Sequence, residues 1–180
     1  IALLQMGLKL QPDNAEAHNS FGAALSGQGK LTEALGHYEE ALRLNPNYAE
    51  AHNTLATALF NLGRVPEALG HCEEALRLQP QNAVAHNNLA AVQVQLGQVS
   101  EAIGHYEAAV RMAPAVPWWR TGLASALVKD GQGDRAITEY GVAVRIEPTS
   151  AEAHNSLGAA LAMAQRTTEA IAQYREALRL

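Results

Sequence analysis

Apolar and small residues recur along this chain at spacings of three and four. Between residues 15 and 28, Ala17, Phe21, Ala24 and Leu25 fall on one face of a helix. Between 32 and 45, Ala34, Leu35, Tyr38, Ala41 and Leu42 do the same. The spacing predicts two helices, with Gly29 ending the first. Thr32 is expected to cap the second, and Glu33 to sit against the positive end of its dipole. Pro46 closes it, because proline cannot continue a helix.

The pattern then returns. Ala15, Ala49, Ala83, Pro117 and Ala151 stand 34 positions apart, and the columns between them align without a gap. The eighth column is small throughout: Gly22, Ala56, Ala90, Ala124 and Gly158. So are the twentieth (Ala34, Ala68, Ala102, Ala136, Ala170) and the twenty-seventh (Ala41, Ala75, Ala109, Ala143, Ala177). The twenty-fourth is Tyr38, Cys72, Tyr106, Tyr140 and Tyr174. Glycine stops recur at Gly63, Gly97 and Gly131, and expected caps at Pro66, Ser100, Asp134 and Thr168. Alanine and glycine let helix axes approach to about 8 Å. A single helix pair cannot bury both its apolar faces, so each pair needs neighbours.

Composition fits this picture. Hydrophobic residues make up 48% of the chain but aromatics only 5%, so much of the apolar mass is Ala, Leu and Val. Acidic residues exceed basic ones, 18 against 13. That balance argues against a nucleic-acid or anionic-membrane surface. Cys72 is the single cysteine, so no internal disulfide forms. No apolar run approaches the roughly 20 residues that span a bilayer. The expectation is a cytoplasmic chain without membrane insertion. Because it opens at Ile1, the chain is also expected to be a piece of a longer protein.

A 34-residue helix-turn-helix unit with these small columns, this aromatic column and a closing proline resembles the tetratricopeptide repeat. The resemblance covers essentially the whole chain as one array. Residues 1–14 are the C-terminal half of a preceding repeat, followed by repeats at 15–48, 49–82, 83–116, 117–150 and 151–180. It implies an all-α, right-handed superhelical solenoid of antiparallel helix pairs. The first helix of each pair would line a groove that binds a protein or extended peptide, with no catalysis and no cofactor. Two alternatives stand beside that scaffold role. The array is the substrate-selecting part of a larger enzyme such as a glycosyltransferase, or it self-associates end to end through its terminal helix faces.

Within the expected groove, the fifth column is Asn19, Asn53, Asn87, Thr121 and Asn155, with Asn88 beside it in the sixth. An amide offers a donor and an acceptor, which matches an extended peptide backbone of any sequence. The other reading is that these amides bridge neighbouring helices. The ladder is similar in idea to that of O-linked N-acetylglucosamine transferases, whose ladder occupies the sixth column. A two-carboxylate clamp would need Lys or Arg on successive helices, and the groove offers Lys129 alone.

The fourth repeat departs from the rest. Where others read Ala-Glu-Ala-His-Asn or close to it, it reads Pro117-Trp118-Trp119-Arg120-Thr121. Trp118 takes a groove-mouth column and is expected to anchor an apolar side chain. Trp119 takes an alanine column and is expected to shift local packing or displace the start of its helix. Seven histidines occupy the fourth and twenty-third columns. Equivalent residues of adjacent repeats lie about 8–10 Å apart, whereas metal donors sit about 2 Å from the ion. The histidines are therefore read as structural, and Cys72 as a buried apolar residue. Glu39/Arg43, Glu73/Arg77 and Glu107/Arg111 are expected to pair on the solvated face.

Overall fold

The computed structural model describes residues 6, 8 and 10–180, and among these all regular structure is helical. The chain divides into two compact units, 1–92 and 93–180. The first contains α1 (Ala15–Ser26), α2 (Leu31–Leu44), α3 (Ala49–Asn61), α4 (Val65–Leu78) and most of α5 (Ala83–Gln95). The second contains α6 (Val99–Met112), α7 (Pro117–Lys129), α8 (Gly133–Ile146), α9 (Ala151–Met163) and α10 (Thr167–Arg179). In the first unit α1 packs on α2, α3 on α4, and α2 on α3; α1 also touches α3. The second repeats the scheme, with α7 on α8, α9 on α10, and α7 touching α9.

Each helix pair turns on the same backbone device. Gly29 adopts φ +77°, its N–H bonds the Ser26 carbonyl at 2.9 Å, and the Lys30 N–H bonds the Leu25 carbonyl at 3.0 Å. These are the two bonds of a Schellman turn, and the left-handed φ is why glycine stands there. Gly63, Gly97 and Gly131 repeat it. In the last pair Gln165 holds the same place at φ 60°, with Arg166 N–H bonding Leu161 O at 2.9 Å.

This turn corrects the expected caps. Lys30, Arg64, Gln98, Gln132 and Arg166 are the N-caps of the second helices, and none makes a side-chain capping bond. The last residue of the Schellman turn is already the N-cap, which moves Thr32, Ser100, Asp134 and Thr168 into the first helical turn. Pro66 fits there because the first-turn N–H groups have no intrahelical partner. Side-chain caps occur instead on the first helices. Asn14 and Asn82 each accept a backbone N–H at 3.0 Å, and Ser150 does so at 3.3 Å.

Both glycines of the eighth column face a tyrosine ring of their own repeat. A Cβ on Gly22 would lie 2.7 Å from Tyr38 Cε1, and one on Gly158 would lie 2.8 Å from the Tyr174 ring. The cores are ordinary: Phe21, Leu25, Tyr38, Leu55 and Leu59 in the first unit, and Leu123, Leu127, Ile137, Tyr140, Leu157 and Leu161 in the second. Helix α7 begins at Pro117, in the column where α1, α3, α5 and α9 begin, with Trp119 buried at 7% exposure. One further expectation is corrected. The solvated arginines pair at a spacing of three rather than four, in Glu40–Arg43 and Glu74–Arg77, both 2.6 Å. That spacing lets the guanidinium meet both carboxylate oxygens. Glu107 instead bonds Arg135 at 2.5 Å.

Candidate functional site

The asparagine columns interlock in the first unit. Asn19 on α1 is only 3% exposed; its Oδ1 accepts from the Thr54 hydroxyl of α3 at 2.7 Å. Its Nδ2 reaches Glu50 Oε1 at 3.4 Å. One repeat later, Asn53 is 9% exposed and its Oδ1 accepts from Asn88 Nδ2 of α5 at 2.9 Å. The fifth-column residue of one repeat thus receives the sixth-column residue of the next. A buried amide needs such partners. For Asn19 and Asn53 the amide oxygens thus help hold adjacent first helices together, which is the bridging alternative for these side chains. Asn88, half-buried, also donates to Thr57 Oγ1 at 3.0 Å and accepts from Asn87 Nδ2 at 3.3 Å.

In the second unit the remaining candidates differ. Trp118 is 66% exposed on the first turn of α7. Thr121 turns its hydroxyl onto the Trp118 carbonyl at 2.9 Å, a bond within its own helix. Asn155 and Lys129 are exposed, Lys129 in the last turn of α7.

The histidines form a feature that column-by-column reading missed. His52 Nε2 lies 3.0 Å from the Pro46 carbonyl, and His52 Nδ1 lies 3.0 Å from His71 Nδ1. A carbonyl only accepts, so Nε2 carries the hydrogen and the neutral His52 ring accepts at Nδ1 from His71 Nδ1–H. His18 makes the same clip, 2.9 Å to Pro12 O and 3.2 Å to His37 Nδ1. In the fourth repeat Arg120 does the work, donating to Pro114 O at 3.1 Å and pairing with Glu139 at 2.6 Å. In the fifth, His154 meets Pro148 O at 3.1 Å and Gln173 Oε1 at 2.7 Å. The clip ties the loop, the first helix and the second helix of one repeat. Its signal lay in the sequence as a complementary change of the fourth and twenty-third columns: His/His, Arg/Glu, His/Gln.

Burial pushes the His37 and His71 rings below their ordinary pKa, and the neighbouring His18 and His52 add to the shift. Among the described residues, no group of three or more His, Cys, Asp or Glu is placed to hold a metal ion. Cys72 is fully buried, and burial pushes its thiol up to about 12, so it is not a thiolate near neutral pH. Beside it, in the first unit, lies a cavity of about 120 Å³. Ala56, Phe60, Cys72, Ala91 and Val92 make its apolar wall, and Thr57 and Asn88 bring polar atoms to it. Among the described residues no helix is long and apolar enough to cross a membrane.

Comparison with known proteins adds the following. The family model described as tetratricopeptide repeat matches residues 1–49, 21–83, 54–117 and 121–180. No curated protein matches the chain. Among solved structures, the chain is similar to YrrB, described as a TPR protein with an unusual peptide-binding site. The identity is 23%, with 98% of this chain and 91% of that chain covered and a TM-score of 0.78. It is similar to residues 41 to the end of MamA from Desulfovibrio magneticus RS-1, at 25% identity, 92% and 94% coverage and TM-score 0.83. It is also similar to a chain of the Cut9–Hcn1 hetero-tetramer of the APC/C, at 18% identity, 98% and 35% coverage and TM-score 0.87.

Proposed function

The chain belongs to the tetratricopeptide repeat family, and we propose that it is a protein- or peptide-binding scaffold that uses the exposed face of its first helices. The observation that carries this reading is Trp118. A tryptophan 66% exposed stands in a column that is Glu16, Glu50, Val84 and Glu152 elsewhere. An indole offers a large apolar face with a polar N–H, and tryptophan is among the residues most enriched at binding hot spots. The second unit also exposes Asn155 and, at the opposite end of α7 from Trp118, Lys129 for polar contacts. The first unit offers Asn87 and Asn88, with Asn53 accepting from Asn88 and Asn19 accepting from Thr54 one repeat earlier. Thr121 fixes the turn that presents Trp118. The bound segment is extended, because amides one repeat apart suit a backbone better than a folded surface. The chain acts by binding, without chemistry of its own, and its partner is a protein rather than nucleic acid.

The test is selection from a displayed random-peptide library, comparing wild type with Trp118→Ala and Asn88→Ala. Trp118 is exposed, so its removal leaves the fold unchanged, and a loss of binding reads on contact alone. Loss of a hot-spot tryptophan is expected to cost about 2 kcal/mol or more, roughly 30-fold in affinity. Equal enrichment by wild type and Trp118→Ala removes the tryptophan from the site. No enrichment by wild type removes the peptide reading.

A further inference from the structure

The cavity beside Cys72 has an internal reference, because the chain builds the same place several times. In the first repeat the Tyr38 ring lies against Gly22, and in the fifth Tyr174 lies against Gly158. The Tyr106 ring lies against Gly122, the sixth-column residue of the following repeat, 2.8 Å from a would-be Cβ. The tyrosine ring is therefore seated between the eighth column of its own repeat and the sixth column of the next. In the second repeat these two residues are Ala56 and Asn88, and the tyrosine is replaced by Cys72. Ala56 and Asn88 both line the cavity of about 120 Å³, with Cys72 at its wall. The walls have not closed over the missing ring.

We propose that this cavity receives one aromatic side chain of tyrosine or phenylalanine type from the bound segment. The inference rests on the peptide-binding reading above and names its specificity pocket. On size, an enclosed apolar cavity of about 150 Å³ admits benzene; this pocket of about 120 Å³ is open at its rim, so a ring enters it without being wholly enclosed. Shape fits, because the same fold seats a tyrosine ring in this place in other repeats. Polarity fits as well. The Asn88 amide donates to Asn53 and Thr57, while its oxygen receives only the long 3.3 Å bond from Asn87. An amide oxygen has a second lone pair for a phenol hydroxyl. The cavity is reached past Thr57, which is exposed, and Asn88 and Ala91, which are half-buried. Asn88 thus belongs both to the proposed binding surface and to the rim of this pocket.

The probe is p-cresol, the tyrosine side chain without its backbone. It is titrated into the 180-residue protein while the amide resonances of Ala56, Cys72 and Asn88 are followed by NMR. Saturable shifts at these positions are expected for wild type and for Cys72→Ala, which widens the pocket. Ala56→Gly/Cys72→Tyr rebuilds the Gly22/Tyr38 arrangement and fills the pocket with the protein's own ring, so cresol affinity is expected to drop at least tenfold. Shifts that never saturate in wild type overturn the proposal, as does equal affinity in the filled variant. If that variant fails to fold, a second measurement decides. Library-derived peptides are compared with their single Tyr/Phe→Ala versions on wild type, and unchanged affinity at every such position overturns the pocket. The two readings fail separately. Peptides that bind the filled variant normally but lose affinity for Trp118→Ala sink the pocket and spare the binding face. Cresol saturation with no peptide enriched supports the pocket and sinks the peptide reading alone.

Discussion

Gly22→Ala is the sharpest test of how the repeats pack. In a helix interior the change from glycine to alanine ordinarily stabilises by about 1 kcal/mol, since alanine loses less backbone entropy. Here the added Cβ would stand 2.7 Å from Cε1 and 2.8 Å from Cδ1 of Tyr38. The ring cannot swing aside cheaply, since Tyr38 is 2% exposed. Overpacking of this kind costs about 1–3 kcal/mol. The net expectation is a loss of about 1 kcal/mol, a fall of roughly 2–4 °C in Tm for a chain of this length. In a Tyr38→Cys background, which copies the natural Ala56/Cys72 pair, the clash disappears and Gly22→Ala should stabilise by about 1 kcal/mol. The change of sign gives a coupling of roughly 1–3 kcal/mol, within the range for residues in contact. Urea unfolding followed by circular dichroism on the four proteins of the cycle measures it. If Gly22→Ala stabilises equally in both backgrounds, the ring does not set the size of the eighth column, and the internal reference for the Cys72 pocket falls with it.

Two further outcomes follow from the turn and the clip. Gln165→Gly should relieve a left-handed residue (φ 60°) that its four counterparts fill with glycine; after the cost of glycine's freedom in the unfolded chain, the gain is about 0.5–1 kcal/mol. It should appear as slower amide exchange in α10, and unchanged exchange there refutes it. Acid should loosen the first unit. His37 and His71 are held below their ordinary pKa of about 6.5 by burial and by the facing ring, opposed by Glu33 at His37 and by Glu67 and Glu39 at His71. A lowered folded pKa means the folded state binds fewer protons, so this stabilisation is fully present above about pH 6.5 and is lost as the pH falls below it. Hydrogen exchange at pH 7.5 and pH 5, corrected for the intrinsic rate, should show α1–α4 losing protection while the Arg120–Glu139 clip of α7–α8 keeps its own. Equal loss in both places refutes the histidine account.

How far the sequence reached depended on the range of the interaction. Helix existence, the Gly29, Gly63, Gly97 and Gly131 stops and the buried fate of Cys72 were legible, because periodicity and backbone freedom are local properties. The cap position was misread by two residues. A Schellman turn makes its last residue the next N-cap, and that is a property of backbone geometry rather than of side-chain type. The column Asn14, Asn82 and Ser150 was there to be read and was passed over.

The candidate site divided along the same line. Sequence alone determined that asparagine recurs in the fifth column of four of the five repeats, that one repeat carries two tryptophans, and that one lacks its tyrosine. It did not determine where an amide points. One residue along a helix is about 100° of rotation, and whether Asn19 and Asn53 face a ligand or the next helix was decided by the hydroxyl and amide that Thr54 and Asn88 bring up from 35 residues away. Likewise, adjacent tryptophans of identical chemistry ended with Trp118 in solvent and Trp119 in the core. The substitution at Cys72 became a cavity only because its neighbours, already held by their own helices, could not close in on it. Local pattern fixed the elements; contacts between residues far apart in the chain fixed which side chains were consumed in holding them and which were left for a partner.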